Sequence, residues 1–147
     1  MESLNISLLE MGKMMHEVYR VFKKLSDELT PVEVKISSEQ FSLLHAISIK
    51  EDDVIQKDMA EMMGKDKSAI LRLIDSLEEK ELVRRVVDLK DRRKNYLMVT
   101  KLGYRVIDQY MKVVDDLIVN LQQGLTQSEI DVFHKVVNHL ESKAKKL

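Results

Sequence analysis

The chain of 147 residues contains no cysteine and no tryptophan, only one proline and four glycines. Without cysteine there is no disulfide, no thiolate metal ligand, no cysteine nucleophile and no thiol redox switch. An oxidising compartment is therefore not required. No apolar run approaches the length that spans a bilayer, and Met1-Glu2-Ser3-Leu4-Asn5 lacks the positive start of a signal peptide, so a cytoplasmic protein without a membrane partner is expected. The four glycines build no phosphate-cradling loop, and no local motif supplies a nucleophile with its base or a metal-activated water. Neither an enzyme nor a cofactor is expected. The scarcity of helix breakers, with aromatics at 5 % and nine methionines beside the Leu, Val and Ile, favours a mainly helical domain large enough for its own core.

What is present is a charge asymmetry. The formal net charge is −1, yet residues 65–105 hold twelve Lys and Arg against seven Asp and Glu, a local excess of five positive charges. Clustered cations on one segment of a neutral chain suit a polyanion, and phosphates supply most of the affinity of DNA-binding proteins.

Apolar spacing sets out the elements. Leu8, Met11, Met15, Val18, Phe22, Leu25 and Leu29 alternate at steps of three and four, predicting a helix over residues 4–29 that Thr30-Pro31 ends. Ser37 with Gln40 forms a capping box for a second helix ending near Ser48, and Val54-Ile55 is long enough only for a short edge strand. From Gln56 the pattern fits a helix-turn-helix: Ala60 is small where helices cross, Gly64 allows a turn with positive φ, Asp66 caps the second helix, and Ile70, Leu73, Ile74 and Leu77 face inward. Residues 82–87 and 95–99 alternate as a hairpin. Val106, Tyr110, Val113, Leu117 and Leu121 then mark a long helix closed by Gly124, and the Thr126/Glu129 capping box opens a last helix to Leu147 through Ile130, Phe133, Val137 and Leu140. The expected fold is a mainly α (α+β) winged helix. Its helix-turn-helix lobe would span residues 37–100, flanked within a single unit of residues 1–147 by dimerisation helices at 1–30 and 101–147.

Lys65, Lys67, Ser68, Leu71 and Arg72 occupy the exposed N-terminal half of the second helix-turn-helix helix, the part that enters a major groove. Arg72 can fork onto guanine, Ser68 can serve base or phosphate, the lysines suit phosphate, and Leu71 can meet a thymine methyl. At the hairpin tip Lys90, Arg92, Arg93 and Lys94 could reach an adjacent minor groove, with Asp88 and Asp91 steadying an arginine by a fork-like ion pair. The bland alternatives are a solvated helix face and a solvated charged hairpin. His16, His45, His134 and His139 raise metal sensing, but His134 and His139, five apart, point about 140° away from each other on a helix. No metal is expected.

Leu82-Val83, Asp91-Arg92-Arg93 and Val99-Thr100-Lys101-Leu102-Gly103, following Arg72-Leu73-Ile74-Asp75-Ser76-Leu77-Glu78, resemble the MarR family of bacterial winged-helix regulators. The resemblance implies an intertwined homodimer that binds palindromic operator DNA and usually represses transcription, with Arg93 touching DNA and Asp91 organising the wing. It also implies a small aromatic or phenolic effector, for which Met14, Val18, Phe22, His45, Tyr104 and Tyr110 are candidate lining, core packing being their plainer role. Leu8, Met11 and Met15 with Ile130, Phe133, Val137 and Leu140 are the expected dimer contacts, since these stripes exceed what one small lobe covers. The chain departs from the family at Glu81, where glycine is common; either the preceding helix ends without a left-handed residue or Glu81 is strained. The competing functions are a winged-helix protein–protein module without DNA binding and an enzyme of unrecognised class.

Overall fold

The capping residues that punctuate the sequence do so in three dimensions. The structure is a computed structural model that describes residues 5–28, 33–50, 54–91 and 95–147. Among these the order is α1 (Leu8–Glu28), α2 (Ser38–Ile49), α3 (Gln56–Met63), α4 (Lys67–Glu79), β1 (Val83–Val87), β2 (Asn95–Val99), α5 (Lys101–Leu121) and α6 (Gln127–Ala144). The chain divides into two compact units, residues 1–114 and 115–147.

In the first unit α2 lies at the centre. Ser37 Oγ accepts the Gln40 N–H at 3.1 Å while Gln40 Oε1 accepts the Ser37 N–H at 2.8 Å, completing the capping box. Phe41, Leu43, Leu44, Ala46 and Ile47 are all buried, so α2 is apolar on more than one face. Such a helix needs neighbours on several sides, and α1, α3, α4 and β2 provide them. Met59 of α3, Ile70, Ile74 and Leu77 of α4, and Val106, Ile107 and Tyr110 of α5 complete the core. The Tyr110 hydroxyl donates to the Ile36 carbonyl at 3.2 Å and accepts the Ile36 N–H at 3.0 Å, satisfying a buried peptide just before α2.

β1 and β2 pair antiparallel, with Val83 opposite Val99, Arg85 opposite Leu97 and Val87 opposite Asn95. The edge strand expected at Val54-Ile55 is reduced to a single bridge, Ile55 to Tyr96, beside a 2.8 Å bond from Leu97 N–H to the Val54 carbonyl. The wing's first strand begins at Val83 because Leu82 is occupied in closing α4: its N–H reaches the Leu77 carbonyl, and the Glu81 N–H reaches Glu78, each at 2.9 Å. This double closure requires a left-handed residue between them, and Glu81 supplies it at φ 60°. Strain, not an open helix end, is the outcome at this departure from the family pattern. Thr100 compensates in part, its hydroxyl donating to the Glu81 carbonyl at 2.7 Å. Glu81→Gly is expected to stabilise the fold by roughly 0.5–1 kcal/mol, the left-handed penalty less the entropy glycine loses, and to raise the thermal midpoint by a few degrees.

In the second unit the end of α5 passes through Gly124, at φ 89°, to the Thr126/Glu129 capping box of α6. Leu121 is half exposed instead of continuing the buried face, and α6 stops at Ala144, short of Leu147. No residue of α6 is buried.

Candidate nucleic-acid interface

The tight turn between α3 and α4 depends on Gly64, whose φ of 61° lets its N–H return to Ala60 and Glu61. Two residues on, Asp66 caps α4: one carboxylate oxygen accepts the Ala69 N–H at 2.7 Å and the Ser68 hydroxyl at 2.9 Å. These bonds, the Ala69 amide first, with the nearby Arg72 charge, hold the Asp66 carboxyl below its ordinary pKa. Ser68 is exposed but its proton is committed to the cap, so its oxygen is left to accept, for instance from an adenine or cytosine amino group.

Ile70, Ile74 and Leu77 anchor α4 from within, which leaves Lys67, Leu71 and Arg72 on the exposed side. Leu73, expected inward with them, is half-buried. Lys65 sits differently from its neighbours: it is half-buried, with its ammonium 3.8 Å from Glu39 of α2, so a phosphate would compete with that carboxylate. Beside α4 lies a shallow cleft of about 540 Å³ lined by Gln56, Lys57, Lys67, Leu71 and Asn95 among others.

At the wing, Asp88 acts on its own turn. Its carboxylate accepts the Lys90 N–H at 2.8 Å and the Tyr96 hydroxyl at 2.9 Å, folding the chain out of β1 and tying it to β2. Lys90 is exposed and Asp91 half-buried. Arg92, Arg93 and Lys94 lie outside the described residues. Sequence reasoning misses Arg85, which bonds Asp75, Glu78 and Gln56; in the sequence it counts only as one more cation of residues 65–105.

Three of the candidate effector residues come together. Phe22, His45 and Tyr110 each place a ring 5.6–5.8 Å from Phe41. Phe22 and Tyr110 are buried, Val18 and His45 half-buried, and Met14 and Tyr104 exposed. On α1, Leu8 is 83 % exposed and Met11 and Met15 are also open to solvent. On α6, Phe133 is 55 % and Val137 40 % exposed, while Ile130 and Leu140 are half-buried. Among the described residues no group of three His, Asp or Glu side chains gathers as a metal site, and no helix is long and apolar enough to cross a membrane.

Comparison with known proteins agrees with this frame. A family model described as MarR family matches residues 34–94. A crystal structure of MarR superposes with a TM-score of 0.79 at 25 % identity, covering 99 % of this chain and 96 % of that one. The MepR–DNA complex of S. aureus gives 0.76 at 20 % identity over 95 % and 99 % of the two chains. PcaV from Streptomyces coelicolor, in complex with its natural ligand, gives 0.72 at 20 % identity over 98 % and 99 %. Residues 34–94 thus match the MarR family model, and over nearly its whole length the chain shares the winged-helix fold of MarR.

Proposed function

We propose that the protein is a sequence-specific DNA-binding regulator of transcription, acting in the cytoplasm as a homodimer on palindromic operators and repressing until a small aromatic or phenolic effector releases it. One observation carries the DNA-binding role: the capped, exposed N-terminal half of α4 presents Lys67, Ser68, Leu71 and Arg72 on a helix whose other face is locked in the core. A helix held this way can enter a major groove, with Arg72 reading a base and the lysines meeting phosphate. MepR, whose solved complex contains DNA, has the same fold. The exposed apolar stripes of α1 and α6 support the dimer, which would set two copies of α4 about 34 Å apart, one turn of duplex. An effector would act by binding the DNA-incompetent arrangement of the two lobes more tightly than the competent one.

Binding to a duplex selected from a random library should weaken steeply with salt, each neutralised phosphate adding about −0.9 to the slope of log affinity against log salt. Arg72→Ala should cost about 1–3 kcal/mol on that duplex and relax preference at one base position. A chain that binds no duplex at low salt would instead be a protein–protein module on the same fold.

A further inference from the structure

We propose that Arg85 positions the reading helix α4 against the wing, and so sets discrimination between DNA sequences without touching DNA. This rests on the DNA-binding role proposed above and adds to it a residue behind the reading surface.

Three elements converge on one guanidinium. Arg85 lies at the middle of β1, opposite Leu97, with its side chain only 22 % exposed. Its Nη1 donates to Glu78 Oε1 at 2.9 Å, its Nη2 to Asp75, and its Nε to Gln56 Oε1 at 3.2 Å. Its backbone N–H also donates to the second oxygen of Glu78, at 3.1 Å. Asp75 and Glu78 stand one turn apart on α4, and Asp75 stands one turn beyond Arg72. Gln56 is the first residue of α3. The planar fork therefore ties the base of the wing, the second half of the reading helix and the start of its partner helix to one rigid group.

The yield of this arrangement is angular more than energetic. Asp75 and Glu78 keep 64 % and 40 % of their side-chain surface in water, and ion pairs that solvated add little stability. Partial burial opposes the guanidinium's charge, yet the two carboxylates outweigh it and raise its pKa. A guanidinium with three differently aimed acceptors fixes direction, which a lysine ammonium on a flexible stem does not. In this geometry the donors of Arg85 point toward α4 and α3, so they are engaged before DNA arrives.

The test uses the full chain carrying Arg85→Lys, which keeps the charge and loses the fork. Hydrogen exchange of the free protein reads the tie itself: amides of β1 and β2 should exchange faster than in the wild type while those of α2 do not change. Unaltered wing exchange overturns the proposal. Affinity is then measured for the duplex the wild-type chain selects and for poly(dI·dC). The selected duplex should lose about tenfold, the scale of one misread base pair, and poly(dI·dC) less than twofold, with the salt slope unchanged. Simple destabilisation would lower the active fraction equally on both DNAs and leaves the ratio fixed, so a fixed ratio also overturns it. A salt slope smaller by about one would make Arg85 a phosphate contact instead. If the wild type binds neither DNA, the DNA-binding role fails and the discrimination role with it, whereas the exchange result still decides whether the tie exists.

Discussion

Replacing Phe133 and Val137 together with glutamate is expected to convert the proposed dimer into a monomer, halving the mass seen by light scattering. The two residues lie four apart on α6, flanked at steps of three by Ile130 and Leu140, so they form the centre of one stripe. Phe133 is 55 % exposed on the single chain, and α6 buries no residue of its own. This much uncovered apolar surface supports the proposed dimer, a second copy being the economical cover. Two carboxylates placed in the stripe would have to lose their water on association, at several kcal/mol each unless paired. Affinity for a palindromic duplex should then fall by about two to four orders of magnitude, the gain that linking two binding modules confers. Binding to a single half-site should survive, because α4 and the wing are untouched. Circular dichroism should show the helices intact. An unchanged mass would remove α6 from the proposed interface.

Gly103→Ala is expected to destabilise the fold by about 2–3 kcal/mol and to lower the thermal midpoint by roughly 5–10 °C. Propensity alone predicts the opposite sign, since alanine is better than glycine in a helix by about 1 kcal/mol. The close approach decides. A Cβ on Gly103 would stand 2.3 Å from the Leu82 carbonyl oxygen and 2.7 Å from Val99 Cγ1. The valine methyl can turn away, but the carbonyl cannot: it accepts the Thr100 N–H at 3.0 Å, and the Leu82 N–H is held by Leu77. Relief would require moving α5 off the base of the wing. Calorimetry or circular dichroism measures the shift, and a midpoint that rose would show that the helix end had room to move.

Features carried by neighbours three or four residues apart are legible in the sequence. Both capping boxes, the Asp66 cap and the Gly64 turn are local pairings of a residue with the next turn of backbone, and each forms where its residues stand. Long-range partners are not legible in this way. Tyr110 can be assigned equally to an effector crevice or to packing, because its hydroxyl's partner, Ile36, lies 74 residues away. Gly103 can be read as a letter of a family pattern, but its reason is the Leu82 carbonyl. The cations of residues 65–105 count alike in a charge sum, although Arg85 is bound to carboxylates, Lys65 faces Glu39, and Lys67 and Arg72 are exposed. Charge totals locate a patch; burial and partners decide which of its members are free to meet a polyanion.

Tyr110 and Thr100 have a joint consequence. The lobe's chain enters at Ile36, gripped by the Tyr110 hydroxyl, and leaves through Thr100, whose hydroxyl caps the first turn of α5 by accepting the Gly103 N–H at 2.9 Å. Entrance and exit are thus both fastened to the same three turns of one helix, like a bucket hung by two handles from a single rod. Glu33 adds a third fastening there, its carboxylate taking two bonds from Arg105 at 2.9 and 3.1 Å. The two ends of a lobe held in this way cannot drift apart. The lobe should accordingly melt together with those turns of α5 as one cooperative piece.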